Sequence, residues 1–277
     1  MLNLPIETII IGHMNKLERT VLSIHIEKTG GTSLGEYYSQ LFGAKGVYVY
    51  KPSTNDLVPY SPMHQVTASE FGNKIRKRFA GTPLYAFIHK FTRDYLNYVN
   101  HISIQNIPNM HLVIHGHFPA NKFDGLVDKP FYTVILRDPL ERMKSHYNHW
   151  KLAKGKVDQR LQLSDESVQT FEDFAFHAML KNWQSSYLVG KPIDQFDLVG
   201  VSTALENFTQ EFVYRLGITG TTQRVKSLNE TPIYLKKETD DLIFNQSFLP
   251  KFMKFHADDY DNYQKAKEAT LKYTTRS

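Results

Sequence analysis

Residues 21–33 read Val21-Leu22-Ser23-Ile24-His25-Ile26-Glu27-Lys28-Thr29-Gly30-Gly31-Thr32-Ser33. The first six form an apolar, strand-like run, and a helix-like run from Ser33 to Leu41 follows. A cation, two glycines and two hydroxyl residues therefore stand at a strand-to-helix corner. Glycines let the backbone approach an anion closely, and the amides that open a helix point at it. Thr32 and Ser33 add side-chain donors. The pattern points to a phosphate or sulfate site. Its plainer alternative is a strand-to-helix turn with a hydroxyl cap.

A second corner has the same form. Phe131-Tyr132-Thr133-Val134-Ile135-Leu136 is a short β-rich apolar run, the pattern of a buried parallel strand. It ends in Arg137-Asp138-Pro139-Leu140-Glu141-Arg142-Met143-Lys144-Ser145. Asp138 suits a helix cap and Pro139 a first helical turn. Leu140, Met143, Tyr147 and Trp150 fall at helical spacing and predict a core face. Arg142 and Ser145 lie three apart, on a different face, where both can reach one ligand. A guanidinium at the strand end and a serine two turns on make a grip for a divalent anion.

The nucleotide P-loop G-x-x-x-x-G-K-[ST] carries its lysine after the glycines, whereas Lys28 precedes them here. Lys28-Thr29-Gly30-Gly31-Thr32-Ser33 instead resembles the 5′-phosphosulfate loop of the sulfotransferases that use 3′-phosphoadenosine 5′-phosphosulfate (PAPS). Members of that family commonly have proline where this chain has Glu27. The second corner resembles their 3′-phosphate element, Arg-Asp-Pro-x-x-Arg-x-x-Ser in the carbohydrate branch, at every fixed position: Arg137, Asp138, Pro139, Arg142 and Ser145. The resemblance implies a P-loop-like α/β fold with a central parallel sheet flanked by helices. It also implies PAPS as sulfuryl donor and no metal.

Sulfuryl transfer to a hydroxyl is analogous to phosphoryl transfer, and most of its catalysis is positioning and electrostatics. The acceptor must also lose a proton, which suits a histidine base. His115-Gly116-His117-Phe118 follows the strand-like run 111–114. Two histidines two apart face one side if the strand continues. The segment resembles the His-Gly-His element of the heparan and uronyl 2-O-sulfotransferases and the Gly-His-Phe-Pro run of bacterial relatives. By that match His117 is the base, with His115 assisting or orienting it. The alternatives are a histidine pair closing a strand or half of a metal site, and no second cluster with ligand spacing accompanies it. The resemblance gives Lys28 two roles: neutralising the 5′-phosphate and stabilising the bridging oxygen as the sulfuryl group leaves. Arg224, Lys226 and Asn229 match the late loop that closes over the nucleotide. Asn182-Trp183-Gln184 matches a segment beside the substrate cleft and reads equally as a capped helix end. His25 reads as a sheet-face histidine.

The 277 residues, 41% hydrophobic and 22% charged, suffice for one large α/β domain, expected over 1–277. A net charge of +5 suits an anionic donor, and the densest basic cluster, 74–78, reads as a solvated helix face, so nucleic acid is not expected as a partner. With no cysteine, disulfides, thiolate catalysis and cysteine metal sites are excluded. No apolar run approaches the length of a membrane span. The anion loop begins by residue 28, which leaves no space for an amino-terminal anchor, so a cytoplasmic, bacterial protein is expected. The expected acceptor is a carbohydrate or another hydroxyl compound.

Strands are expected at 21–27, 47–50, 84–88, 112–114, 131–136 and 197–201. Helices are expected at 33–42, 66–80, 139–152, 170–181, 203–216, 238–247 and 250–270. Loops at 52–65, 154–169 and 218–234 are left to shape the acceptor pocket and cover the nucleotide. The alternation argues a parallel sheet between helices. Two other readings of the same cradle stay open: a nucleoside-triphosphate phosphotransferase and a non-catalytic nucleotide-binding module.

Overall fold

The computed structural model describes residues 17–43, 46–60, 102–104, 107, 113–152, 168, 170–219, 223–225 and 247–274. Seven strands form one sheet: β1 (Val21–Ile24), β2 (Val47–Lys51), β3 (Asp56–Pro59), β4 (Ile102–Ser103), β5 (Val113–Gly116), β6 (Phe131–Leu136) and β7 (Leu198–Val201). Their order is β4-β3-β2-β5-β1-β6-β7. The pairings β2/β5, β5/β1, β1/β6 and β6/β7 are parallel, and β2/β3 and β3/β4 are antiparallel. β1 runs between two parallel neighbours, with Ile24 level with Gly116 of β5 and Val134 of β6. The chain leaving each of these strands therefore emerges at one end of the sheet, where open α/β sheets bind ligands.

Helices cover both faces, as continuous apolar strands require. On one face α1 (Gly31–Phe42) and α5 (Leu205–Arg215) pack Leu34, Tyr38, Phe208 and Phe212 against Val21, Val113, Phe131 and Leu198. On the other, Phe118, Phe123 and Ala266 of α7 (Ala257–Thr274) meet Leu22, Ile24, Tyr132, Val134 and Val199. A third apolar cluster joins α2 (Pro139–Leu152), α3 (Phe171–Ala175) and α6 (Phe248–Phe255) around Tyr147, Phe171, Phe174 and Phe252. The architecture is thus the expected mixed α/β fold, a mostly parallel central sheet flanked by helices.

Local signals account for most boundaries. Asp138 Oδ1 accepts the amides of Leu140 and Glu141, both at 3.0 Å, and Pro139 opens α2. Thr170 and Asp173 form a capping box for α3. Two expected helices are broken. The segment 170–181 becomes α3 plus a 3₁₀ turn at Ala178–Leu180, and a further short helix, α4 (Trp183–Ser186), begins after a left-handed Asn182, φ 49°. The long helix at 250–270 is instead α6 and α7, parted at His256. Tertiary caps win over periodicity here: His256 Nδ1 accepts the Asn182 amide, and Asp259 accepts those of Gln184 and Ser185. The strand β3 lies inside the expected loop 52–65. The helix expected at 66–80 and the strand expected at 84–88 fall outside the described residues, as do 61–65 of the loop 52–65, nearly all of the loop 154–169, most of the loop 218–234 and all but Ser247 of the helix expected at 238–247. Among the described residues no helix is long and apolar enough to cross a membrane.

β7 contains Gly200 because α5 crosses it closely. A Cβ there would stand 2.4 Å from Cδ2 of Phe208, a ring with no exposed surface. Gly200→Ala is expected to lower stability by about 1–3 kcal/mol through overpacking, read as a reduced urea midpoint with an unchanged slope.

Candidate anion site at the carboxyl end of the sheet

The loop after β1 is held from inside. The Thr29 hydroxyl donates to the Ile26 carbonyl at 3.0 Å, so this side chain closes the turn. Lys28 takes a left-handed conformation, φ 71°, a strain that for a non-glycine residue is of order 1–2 kcal/mol. The two glycines are needed for different reasons. Gly30 has φ 97° and stands at the N-cap of α1, a conformation other residues resist. A Cβ on Gly31 would lie 1.8 Å from the His25 ring. No side chain caps α1. Its opening amides, at Gly31, Thr32 and Ser33, belong to the turn that has no carbonyl partners within the helix. Thr32 is exposed and Ser33 buried.

The second corner comes directly onto the first. Arg137 Nη1 donates to the Lys28 carbonyl oxygen at 3.1 Å. Burial lowers the pKa of the Lys28 ammonium, and the Arg137 charge lowers it further. Arg137 is likewise shifted down by burial. Two half-desolvated cations beside an uncapped helix start make a field that favours an anion. The backbone of Arg137 is gripped in turn by buried Gln184. Its amide nitrogen donates to the Arg137 carbonyl and its oxygen accepts the Arg137 amide, each at 2.9 Å. Asp259, 1% exposed, anchors this clamp by accepting the Gln184 and Ser185 amides and the Ser185 hydroxyl.

Arg142 is not on the open face with Arg137. It has no exposed surface, its Nη1 lies 3.2 Å from His146 Nδ1, and its Nε has no hydrogen-bond partner among the described residues. Burial lowers its pKa, opposed by the nearby charges of Asp259 and Glu27. α2 is covered on more than its apolar stripe, since Ser145, His146 and Asn148 are buried as well as Met143 and Tyr147. The expectation of Arg142 and Ser145 on one reachable face assumed a helix with a solvated side, and α2 has little of one. Arg224 is 84% exposed beside Glu206, at 3.9 Å, and Asn229 lies outside the described residues.

The histidines form a stack. His25 lies between His115 and His117, with ring centroids 5.1 and 4.3 Å away. His115 is buried, with Nε2 2.9 Å from the Gly31 carbonyl and Nδ1 2.9 Å from Ser23 Oγ. A carbonyl only accepts, so Nε2 carries the proton and Nδ1 accepts from the serine. Both nitrogens are used, and the ring ties β1 and β5 to the start of α1. His117 is more open, its side chain 31% exposed. Its Nδ1 lies 2.6 Å from the His25 carbonyl and 3.5 Å from Glu27 Oε1. By the same rule Nδ1 carries a proton, and Nε2 remains to receive one. Glu27 also accepts from Trp183 Nε1, at 2.9 Å, and from the Tyr187 hydroxyl, at 2.8 Å.

The structure thus brings together Lys28, Gly30, Gly31, the α1 amides, Arg137, His115 and His117. Glu27, Gln184, Asp259 and Tyr187 join them without having been singled out for these contacts. Glu27 had a signal only as a departure from proline, and Asp259 lies more than 120 positions from the corner it supports. Among the described residues no group of three or more metal-ligating side chains is assembled.

No family model and no curated protein matches this chain. Among solved structures, the crystal structure of a sulfotransferase from Alicyclobacillus acidocaldarius aligns with 88% of this chain and 94% of its own, at a TM-score of 0.41 and 16% identity. A likeness that distant says nothing about ligand or reaction, so the functional reading stands on the geometry above.

Burial holds the His115 imidazole down to about 4, from an ordinary 6.5, against the partial support of the Gly31 carbonyl. His146 is held to about 3, by burial and then by Arg142. In both cases the unfolded chain binds the proton more readily than the folded one. Stability is therefore full above pH 6.5 and falls as the pH drops toward 4. His115 alone carries up to about 3 kcal/mol of that loss. Urea midpoints measured between pH 7 and pH 4.5 are expected to fall steeply for the native chain and less steeply for His115→Gln.

Proposed function

We propose that this chain is a sulfotransferase that uses PAPS and delivers the sulfuryl group to a hydroxyl, most suitably of a carbohydrate. The observation that carries the reading is the 3.1 Å hydrogen bond from Arg137 to the Lys28 carbonyl, which makes the two motif corners one site. The residues suit a donor with anionic groups at both ends. The uncapped start of α1, Lys28 and the glycine-lined loop would hold the 5′-phosphosulfate end. Arg137, tied to the Lys28 carbonyl, would hold the 3′-phosphate. Such a donor, when bound, supplies an activated sulfuryl group and a stable bisphosphate leaving group.

The chain's own contribution is positioning, charge and proton movement. Lys28 would offset negative charge that develops on the leaving side. His117, with its proton held at Nδ1 by the His25 carbonyl, receives the acceptor's proton at Nε2. His115 acts at one remove, by fixing Gly31. The carbohydrate preference rests on the Arg-Asp-Pro-x-x-Arg-x-x-Ser pattern at 137–145 and on His115-Gly116-His117.

Calorimetry with adenosine 3′,5′-bisphosphate in the absence of metal tests this reading. Binding is expected, weakened about 10-fold to 100-fold by Lys28→Ala or Arg137→Ala. His117→Ala is expected to keep the affinity while lowering sulfation of a glycan panel from labelled PAPS by about 10²–10⁴-fold. Binding of ATP with magnesium but not of the bisphosphate would favour phosphoryl transfer. Bisphosphate binding without transfer to any acceptor would favour a binding module.

A further inference from the structure

From the three contacts that surround Glu27 we infer that it is the positioning residue behind His117, holding the imidazole and stabilising its protonated form. This rests on the reading of His117 as a base. The carboxylate is fixed on both oxygens. Tyr187 Oη donates to Oε1 at 2.8 Å and stands 2.9 Å from Oε2, which also accepts from Trp183 Nε1 at 2.9 Å. Its side chain is only 11% exposed. Oε1 then faces His117 Nδ1 at 3.5 Å, on the far side of the ring from Nε2.

The geometry divides the labour between two acceptors. The His25 carbonyl takes the Nδ1 hydrogen bond at 2.6 Å and sets the tautomer. Glu27 supplies a full negative charge close to the same nitrogen. When Nε2 receives a proton from the acceptor hydroxyl, the ring becomes a cation beside a carboxylate that is already in place. No rearrangement is needed at that moment, which is how a preorganised partner contributes to a proton transfer. His25 packs on the ring at 4.3 Å, and burial keeps it neutral. His115 is neutral for the same reason. Lys28 opposes a charge on His25 and His146, and Arg142 and His146 lie within the field of Glu27 from the α2 side. Glu27 is therefore an anion that offsets the nearby Arg142 charge where the base must become positive.

Glu27→Gln keeps acceptor and donor capacity toward Trp183 and Tyr187 and removes the charge. Two measurements on the full-length chain test the inference. The first needs no substrate: the pH profile of His117 modification by diethylpyrocarbonate, mapped by mass spectrometry. Without the carboxylate the neutral ring is favoured, so the Glu27→Gln profile should extend to lower pH, and Glu27→Asp should recover part of the native profile. The second is turnover: kcat should fall about 10-fold to 100-fold, the range for loss of a supporting partner, with bisphosphate affinity unchanged within about twofold. Superimposable modification profiles for native and Glu27→Gln chains, with native-like melting, would overturn the inference. A shifted profile in a chain that never sulfates an acceptor would leave the Glu27–His117 pair standing and remove the sulfotransferase reading instead.

Discussion

The site depends on one contact, the hydrogen bond by which the Arg137 guanidinium holds the Lys28 carbonyl at 3.1 Å. It exists because β1 and β6 are parallel neighbours in register, so their exit loops emerge side by side. It has a cost. Lys28 is kept in a left-handed conformation, and two cations are brought together in a half-desolvated place. Strain and like charge of this kind persist only where surrounding structure fixes them, and they gather where a ligand relieves them.

That surrounding structure is polar and buried. Gln184 closes two hydrogen bonds on the Arg137 backbone, and Asp259 fixes Gln184 through the opening amides of α4. A buried network of this kind is sound only when its members are satisfied. Asp259 accepts from two amides and a hydroxyl, which meets the condition at its centre. At the periphery Arg142 Nε and Asn182 Oδ1 have no partners among the described residues. The route from α7 to Arg137 means that the last described helix of the chain shapes the anion site. On the β1 side His115 has the matching role, since it joins Ser23 to the Gly31 carbonyl and so fixes the first turn of α1.

Much of this was legible in the sequence where the signal is local. The runs at 21–24 and 131–136, the Asp138-Pro139 cap and the glycines at 30–31 each carry their own cause, and the parallel sheet follows from their alternation. What was not legible is contact between distant segments. The helix expected at 170–181 has the right periodicity, yet His256 and Asp259, some 75 positions away, cap its continuation and break it. Arg142 fits a ligand-binding pattern by spacing, but spacing cannot show that α2 is covered on both sides. Glu27 was visible only as a residue out of pattern, because its partners Trp183, Tyr187 and His117 come together only in the fold.

The placement of Glu27 resolves an apparent conflict within an anion site. A carboxylate next to Lys28 in sequence would weaken anion binding if it shared the lysine's surroundings. Its two oxygens are instead engaged by Tyr187 and Trp183, with Oε1 3.5 Å from His117 Nδ1. The Arg137 guanidinium is tied to the Lys28 backbone, and the Glu27 carboxylate is held beside the His117 imidazole. The same short loop thus separates two tasks that need opposite potentials, holding an anion and accepting a proton. A proline before Lys28 could serve the first of these tasks but has no group for the second.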